Sequence, residues 1–341
     1  RRPGDSGSDS CLQGLYDLWT YTKCGKNEVS CHYSESRLVN FRKGKQIMKT
    51  SFKLLLAVCS FMWLQSCYEE YKFDYTHTTA YFARQKPLRT LVEEEGKNMC
   101  FTFGVVLSGV YSNEKDWKVE FEIAPELLDD YSEMKLLPED YYSLSDNRNI
   151  VIPAGKILGE IEVKMDKEKF MNDPLALTGV YALPIRIVHS ETDSILENAD
   201  YTIIAVKYVN KYHGHYWVKG EDSKYDSSGT LIDTETYSSA DLVTNRRATL
   251  VSKGRNTLSI PYIGRFNSDG YSMMLKVDNA GEVKLVGDIK SSIKEVAGAG
   301  TYDEGKNIFA VEYSYTDGDG YKHVVKDELI FSNLELKLEE W

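Results

Sequence analysis

Residues 117–123 read Trp-Lys-Val-Glu-Phe-Glu-Ile, apolar and charged side chains in unbroken alternation. A period of two places every second residue on the same face of an extended chain, so this segment must be a strand with one face in a core and the other in water. Residues 157–165 repeat the pattern, with Glu160, Glu162 and Lys164 on one side. Residues 79–83, 99–107, 180–188 and 201–209 supply further apolar stretches of strand length. Between them, 125–131 and 166–171 are predicted to be short helical turns. Short strands separated by turn residues predict an antiparallel β-sandwich over residues 78–209, of the immunoglobulin-like kind.

A second series starts near Tyr212. Residues 214–219, 230–234, 248–252, 257–263, 271–277, 282–286, 308–315 and 321–331 are successive strand candidates. Asp278-Asn279-Ala280-Gly281 and Asp317-Gly318-Asp319-Gly320 lie between pairs of them, and Asn and Gly tolerate the positive φ of tight hairpins. Many strands joined by short hairpins predict an antiparallel β-barrel or a lipocalin-like meander over residues 211–341. The chain is therefore expected to be all-β, with the boundary between its domains at Asn210-Lys211.

Upstream of the strands lies an export signal. Lys49 and Lys53 flank an apolar run that is too short to span a bilayer and ends in Leu64-Gln65-Ser66-Cys67. This order resembles the cleavage box of bacterial lipoproteins. The resemblance implies a signal at residues 48–66, cleavage before Cys67 and lipid on its thiol. Tyr68-Glu69-Glu70 follows, and Glu69 and Glu70 resemble the acidic signal that sends Bacteroidetes lipoproteins to the outer face of the outer membrane. Residues 67–77 then read as a tether. Residues 1–47 show no helical or alternating period, and the first methionine is Met48, so this stretch is expected to be upstream sequence translated in error.

The whole chain carries a formal charge of −11. Removing the ten basic and five acidic residues of 1–66 leaves −16 for residues 67–341. Such an acidic chain repels phosphate backbones, which argues against a nucleic-acid partner. With Cys67 lipidated, Cys100 is the sole cysteine left; it lies in an apolar stretch and is expected to be an unpaired core residue. No nucleophile elbow, His-Glu-x-x-His or phosphate loop is present.

Three segments carry a further resemblance. Leu137-Pro138-Glu139-Asp140-Tyr141-Tyr142, Val151-Ile152-Pro153-Ala154-Gly155 and Tyr181-Ala182-Leu183-Pro184-Ile185 occur in the order found in an N-terminal domain of unknown function of Bacteroidetes surface lipoproteins. The resemblance covers about residues 78–209. Residues 211–341 resemble, more weakly, the barrel domain that accompanies it in some members. Such proteins are often encoded beside outer-membrane glycan importers, in polysaccharide utilisation loci. The family implies a sandwich, surface lipidation and glycan capture, and it supplies no catalytic residues. The residues themselves report fold: Pro153 suits a strand end, Gly155 a turn, and Pro184 an edge or bulge.

Aromatic residues are the ligand candidates, because sugar C–H faces stack on their rings. Tyr216 and Trp217 are adjacent, so on a strand one of them points outward. Tyr225, Tyr262 and Tyr271 lie near expected loops. Each can equally be a core residue. Trp117, in step with Val119 and Phe121, reads as core. His213 and His215 share a strand face in this reading, but no third ligand accompanies them and no metal is expected. No cofactor is expected either. The function that follows is non-catalytic glycan capture for an outer-membrane importer, the chain held to the membrane by lipid. The alternatives are a glycan hydrolase with an unrecognised carboxylate pair and a structural subunit of the importer.

Overall fold

A computed structural model describes residues 77–336 and 339–341. The expectations for Cys67, Glu69, Glu70 and everything before them lie outside the described residues. Residues 79–108 and 113–341 form one compact unit.

Its first half contains β1 (Thr79–Tyr81), β2 (Pro87–Val92), β3 (Cys100–Ser108), β4 (Trp117–Ile123), β5 (Lys135–Leu136), β6 (Tyr142–Leu144), β7 (Asn149–Ile152), β8 (Leu158–Met165), β9 (Tyr181–Ser190), β10 (Ser194–Ile195) and β11 (Tyr201–Val209). One sheet has the order β10-β1-β3-β8-β6; in the other, β2-β11-β9-β4-β7 run side by side and β5 joins β9. Most pairs are antiparallel, while β1–β10, β2–β11 and β5–β9 are parallel. Strict alternation builds the core: Phe101, Phe103, Val105 and Leu107 of β3 and Ile161, Val163 and Met165 of β8 are buried. Phe103 meets Phe121 of β4 edge to face at 5.4 Å. Helix α1 (Lys167–Asn172) starts at Asp166, whose side chain accepts the Lys169 N–H.

The second half contains β12 (Gly214–Tyr225), β13 (Leu231–Thr236), β14 (Arg246–Gly254), β15 (Thr257–Ile260), β16 (Met273–Val277), β17 (Glu282–Gly287), β18 (Val296–Asp303), β19 (Ile308–Thr316) and β20 (Lys322–Asn333). Neighbours pair antiparallel from β14 to β20, and β12 pairs with both β14 and β20, which closes an eight-stranded barrel. Its interior is packed with Tyr216, Val218, Leu250, Leu258, Leu275, Phe309, Tyr313 and Val325, among others. Beyond Val218, β12 leaves β14 and pairs with β13 in a hairpin. The expected turns at Asp278–Gly281 and Asp317–Gly320 join β16 to β17 and β19 to β20. The final strand, β21 (Glu339–Glu340), lies in the stretch expected to be barrel but pairs with β2 of the sandwich.

The junction is tight. Asn210 is buried; its N–H donates to Ser252 Oγ (3.0 Å) and its Nδ2 to the Gly254 (2.8 Å) and Thr257 (3.2 Å) carbonyls of the β14–β15 turn. From that turn, Arg255 makes a two-pronged pair with Glu168 of α1 at 2.6 and 2.6 Å.

Four readings of the sequence need correction. Pro184 is neither at an edge nor in a bulge: it lies mid-strand in β9, paired with Ile203 of β11. Its missing N–H is harmless because β9 changes partner there, from β4, whose pairing ends at Ile185, to β5, which pairs with Tyr181 and Ala182. Cys100 is half-buried rather than core, on the outward side of β3, and it is disulfide-bonded, so it is not unpaired. Trp117 is half-exposed because its Nε1–H donates to Asn113 Oδ1 (2.9 Å) at the sheet rim, and Lys115 lies over its ring at 3.8 Å. His213 precedes β12 in a turn, where its Nδ1 accepts the Ser252 N–H (3.1 Å), while His215 lies on β12 with Nδ1 2.8 Å from Thr249 Oγ1. They share no partner.

Candidate functional site

Two features stand out, a polar network inside the barrel and a cleft where the barrel meets the sandwich. The network arises because inward positions of β12, β19 and β20 carry polar residues. His323 is fully buried between two carboxylates: Nδ1 is 2.6 Å from Asp222 Oδ1 and Nε2 is 3.2 Å from Asp317 Oδ2. The Tyr315 ring stacks on the imidazole at 4.5 Å, and its hydroxyl donates to Asp222 Oδ2 (2.5 Å). The Arg265 N–H donates to the same oxygen (2.9 Å), and the Arg265 guanidinium donates to both Asp233 oxygens. Burial alone would raise the Asp222 carboxyl, but the His323, Tyr315 and Arg265 donors outweigh it and hold it below its ordinary range. Burial also opposes ionisation of Asp317, yet the Tyr321 N–H, His323 and Lys224 bring it down to about 2.

A second cluster lies along β20. Asp327 accepts the hydroxyls of Tyr237 (2.6 Å), Tyr313 (2.9 Å) and Tyr262 (3.1 Å). The Arg246 guanidinium covers the Tyr237 and Tyr262 rings at 4.3 and 4.0 Å. Burial dominates here and pushes the Asp327 carboxyl up to about 6 despite its three phenol donors. Its sign is opposite to that of Asp222. A carboxyl raised above its unfolded value of about 3.9 lends most stability below that value, and loses it as the pH rises through 6. Asp222 and Asp317, held low, stabilise above about 3.9 and lose that contribution as the pH falls. Asp327→Asn removes the cost of ionising a buried acid. We expect the stability of the variant relative to the parent to be about 1 kcal/mol greater at pH 7.5 than at pH 5, read from urea unfolding at the two pH values. A pH-independent difference would contradict the assignment. The carboxylates and the imidazole of both clusters are held by protein partners, while Arg246 Nε and Nη2 and Arg265 Nε are buried without a hydrogen-bond partner.

The cleft is open. It encloses about 660 Å³ between the strand ends of the barrel and the β2 end of the sandwich, a size that suits a small ligand. Tyr212 and the half-buried Tyr302 line it, their rings edge to face at 4.9 Å. The Tyr302 ring also packs on Phe309 at 4.5 Å, and its hydroxyl donates to Asn307 Oδ1 (2.8 Å), which fixes its orientation. Around the rings stand Glu93, Glu95, Glu304, Lys211, Asn256 and Asn279. Lys211 Nζ donates to Glu304 Oε1 (2.9 Å) and lies 3.9 Å from Glu95 Oε2. The Lys211 bond holds Glu304 below its ordinary range, so Glu304 is a poor proton donor. A second, shallower groove of about 490 Å³ runs along the outer barrel wall, floored by Ala299 and Ala310 and edged by Lys219, Glu221, Lys326 and Glu328. No aromatic ring lines it.

The residues expected to bind ligand are not brought together. Tyr216 and Tyr262 are buried in the barrel core: Tyr216 donates its hydroxyl to the Tyr212 carbonyl (2.8 Å), and Tyr262 donates to Asp327. The inward strand position of Tyr216 and the burial of Tyr262 just beyond β15 leave them no surface to offer. Trp217 points outward on β12, with Arg247 5.7 Å from its ring. Tyr225 ends the same strand, and Tyr271 stacks on Phe266 at 4.9 Å. None of the five lines either cavity. The residues that do are Tyr212 and Tyr302, and the position of Tyr212 beside the domain boundary is the one signal for them in the sequence.

Comparison with known proteins gives the fold a setting. Residues 73–194 match a family model described as a "-like, N-terminal domain", which is less than half of the chain. No curated protein matches. The chain is similar to a Bacteroides ovatus protein of unknown function, with a TM-score of 0.63 and 22% identity, over 78% of this chain and 99% of that one. At that identity the likeness is one of fold. Another B. ovatus structure of unknown function (TM-score 0.41, 14% identity, 78% of this chain and 100% of that one) and a two-domain B. fragilis protein of unknown function (0.35, 13%, 76% and 91%) are too distant to carry an argument. Residues 73–194 thus resemble that N-terminal domain, and the sandwich-and-barrel fold has a counterpart in a B. ovatus protein of unknown function.

Proposed function

We propose that this protein is a lipid-anchored protein of the outer membrane surface that captures glycan for an importer, and that the cleft between sandwich and barrel is the capture site. The observation that carries the reading is the pairing of an orientationally fixed Tyr302 ring with a rim of carboxylates, amides and a lysine in one open cavity. A sugar presents C–H faces to rings and hydroxyls to such groups. The box ending in Cys67 and the acidic pair Glu69 and Glu70 support the address. The groove on the barrel wall fits less well, because it lacks a ring to stack on.

The hydrolase alternative has one observation in its favour, two carboxylates on either side of Lys211. It needs one of them to hold a proton near neutrality, and the bond from Lys211 works against that at Glu304. Affinity electrophoresis of the purified full chain through gels containing polysaccharides tests capture. We expect retardation by at least one glycan, with Tyr302→Ala weakening it about tenfold or more, in line with the ~1–3 kcal/mol that a stacking ring contributes in comparable sites. Retardation that ignores Tyr302 would move the site elsewhere. Release of reducing ends from the retarding glycan would replace capture with hydrolysis.

A further inference from the structure

The charges of the cleft restrict what kind of glycan it can take. Each cation on its rim is already matched. Lys211 lies between Glu304 at 2.9 Å and Glu95 at 3.9 Å, and Lys167 lies 3.5 Å from Glu93. Arg255 spends two guanidinium nitrogens on Glu168, at 2.6 and 2.6 Å, and a third contact reaches Asn172 Oδ1 at 3.5 Å. The remaining acid, Asp278, lies on the rim and accepts the Ala280 and Glu282 N–H groups of its own turn. Counting Glu93, Glu95, Asp278 and Glu304 against Lys167, Lys211 and Arg255, the lining has one more acid than base.

A sulfate or carboxylate entering this space finds no cation to receive it. It would have to displace a protein carboxylate from Lys211 or Arg255, and it would enter the field of a chain whose residues 67–341 carry −16. A bidentate arginine pair is among the strongest of polar contacts, so that exchange yields nothing to the ligand. A hydroxyl group meets no such barrier. Carboxylates accept from hydroxyls, amide side chains do both, and Tyr302 receives the C–H face.

We infer that the cleft selects neutral glycans, built of hexoses or pentoses without uronic acid or sulfate groups, and excludes anionic ones. This deepens the capture reading and rests on it.

The test is affinity electrophoresis of the full chain and its Tyr302→Ala variant. One set of gels contains neutral polysaccharides (mannan, xylan, mixed-linkage glucan, arabinan), the other polygalacturonate and chondroitin sulfate. Retardation by a neutral polysaccharide that falls about tenfold in the variant, with no retardation by either polyanion, supports the inference. Retardation by a polyanion that also depends on Tyr302 overturns it while leaving glycan capture intact. Retardation by none of them overturns both.

Discussion

His323→Ala is expected to destabilise the barrel by about 3–5 kcal/mol, because a buried carboxylate loses a hydrogen-bond partner and a cavity opens where the ring was. The imidazole lies between Asp222 and Asp317, and both it and Asp222 are fully buried. Alanine leaves Asp222 with the Tyr315 hydroxyl and the Arg265 N–H but without the imidazole 2.6 Å from its Oδ1, and it opens a void beside the Tyr315 ring. Thermal unfolding followed in the near-ultraviolet should show the loss directly. A second substitution separates charge from packing. If the unpaired carboxylate is the main cost, Asp222→Asn in the His323→Ala background recovers part of the loss, a non-additivity that a pure cavity effect would not produce. A single-variant loss under about 1 kcal/mol would remove His323 from its structural role.

The strands most plainly written in the sequence are those with one wet face. β4 occupies residues 117–123 as the alternation predicts, and β8 and β11 match within one residue. Strands that break the composition rule were not visible. β18 passes through Ala297-Gly298-Ala299-Gly300, a run poor in the branched and aromatic residues that mark strands. Its glycines are a packing requirement: a Cβ on Gly298 or Gly300 would overlap the backbone or side chains of Tyr313 and Ala310 on β19. β2 was lost for another reason, since half-buried Arg89 and Thr90 blur its pattern.

The binding site was less legible than the fold. Residue type marks an aromatic side chain as a candidate but does not say which way its ring faces. Tyr216 faces inward by strand parity, which follows only from the register of β12, and Tyr262 is buried just beyond the end of β15. Tyr302 lies on the strand that the sequence hid. The inward acids and histidine of the barrel were invisible for a related reason. Alternation equates polar with wet, whereas Asp222, His323 and Asp327 are polar, buried and paired with residues far away in sequence.

The same blindness hid the second half of β12, which is expected from the sequence over residues 214–219 alone. The strand continues to Tyr225, and Gly220 is what allows it to enclose Asp327. A Cβ on Gly220 would collide with Asp327 Oδ1, stand 2.5 Å from the Lys326 carbonyl oxygen and 2.8 Å from Tyr237 Cε2. The carbonyl belongs to the paired strand and cannot retreat without breaking the β12–β20 ladder. Gly220→Val is therefore expected to cost about 3 kcal/mol or more, at the upper end of overpacking effects, because it also separates Tyr237 from Asp327 and exposes a buried acid to an unmet bond. Gly220→Ala should lose less but still more than 1 kcal/mol. Gly318→Ala, in a turn where a Cβ meets nothing within 4 Å, is the control and should stay within about 0.5 kcal/mol of the parent. Urea unfolding of the three variants decides the matter. Equal midpoints for the Gly220 and Gly318 alanine variants would mean that β12 yields at this point and that the Tyr237–Asp327 contact does not depend on the missing side chain.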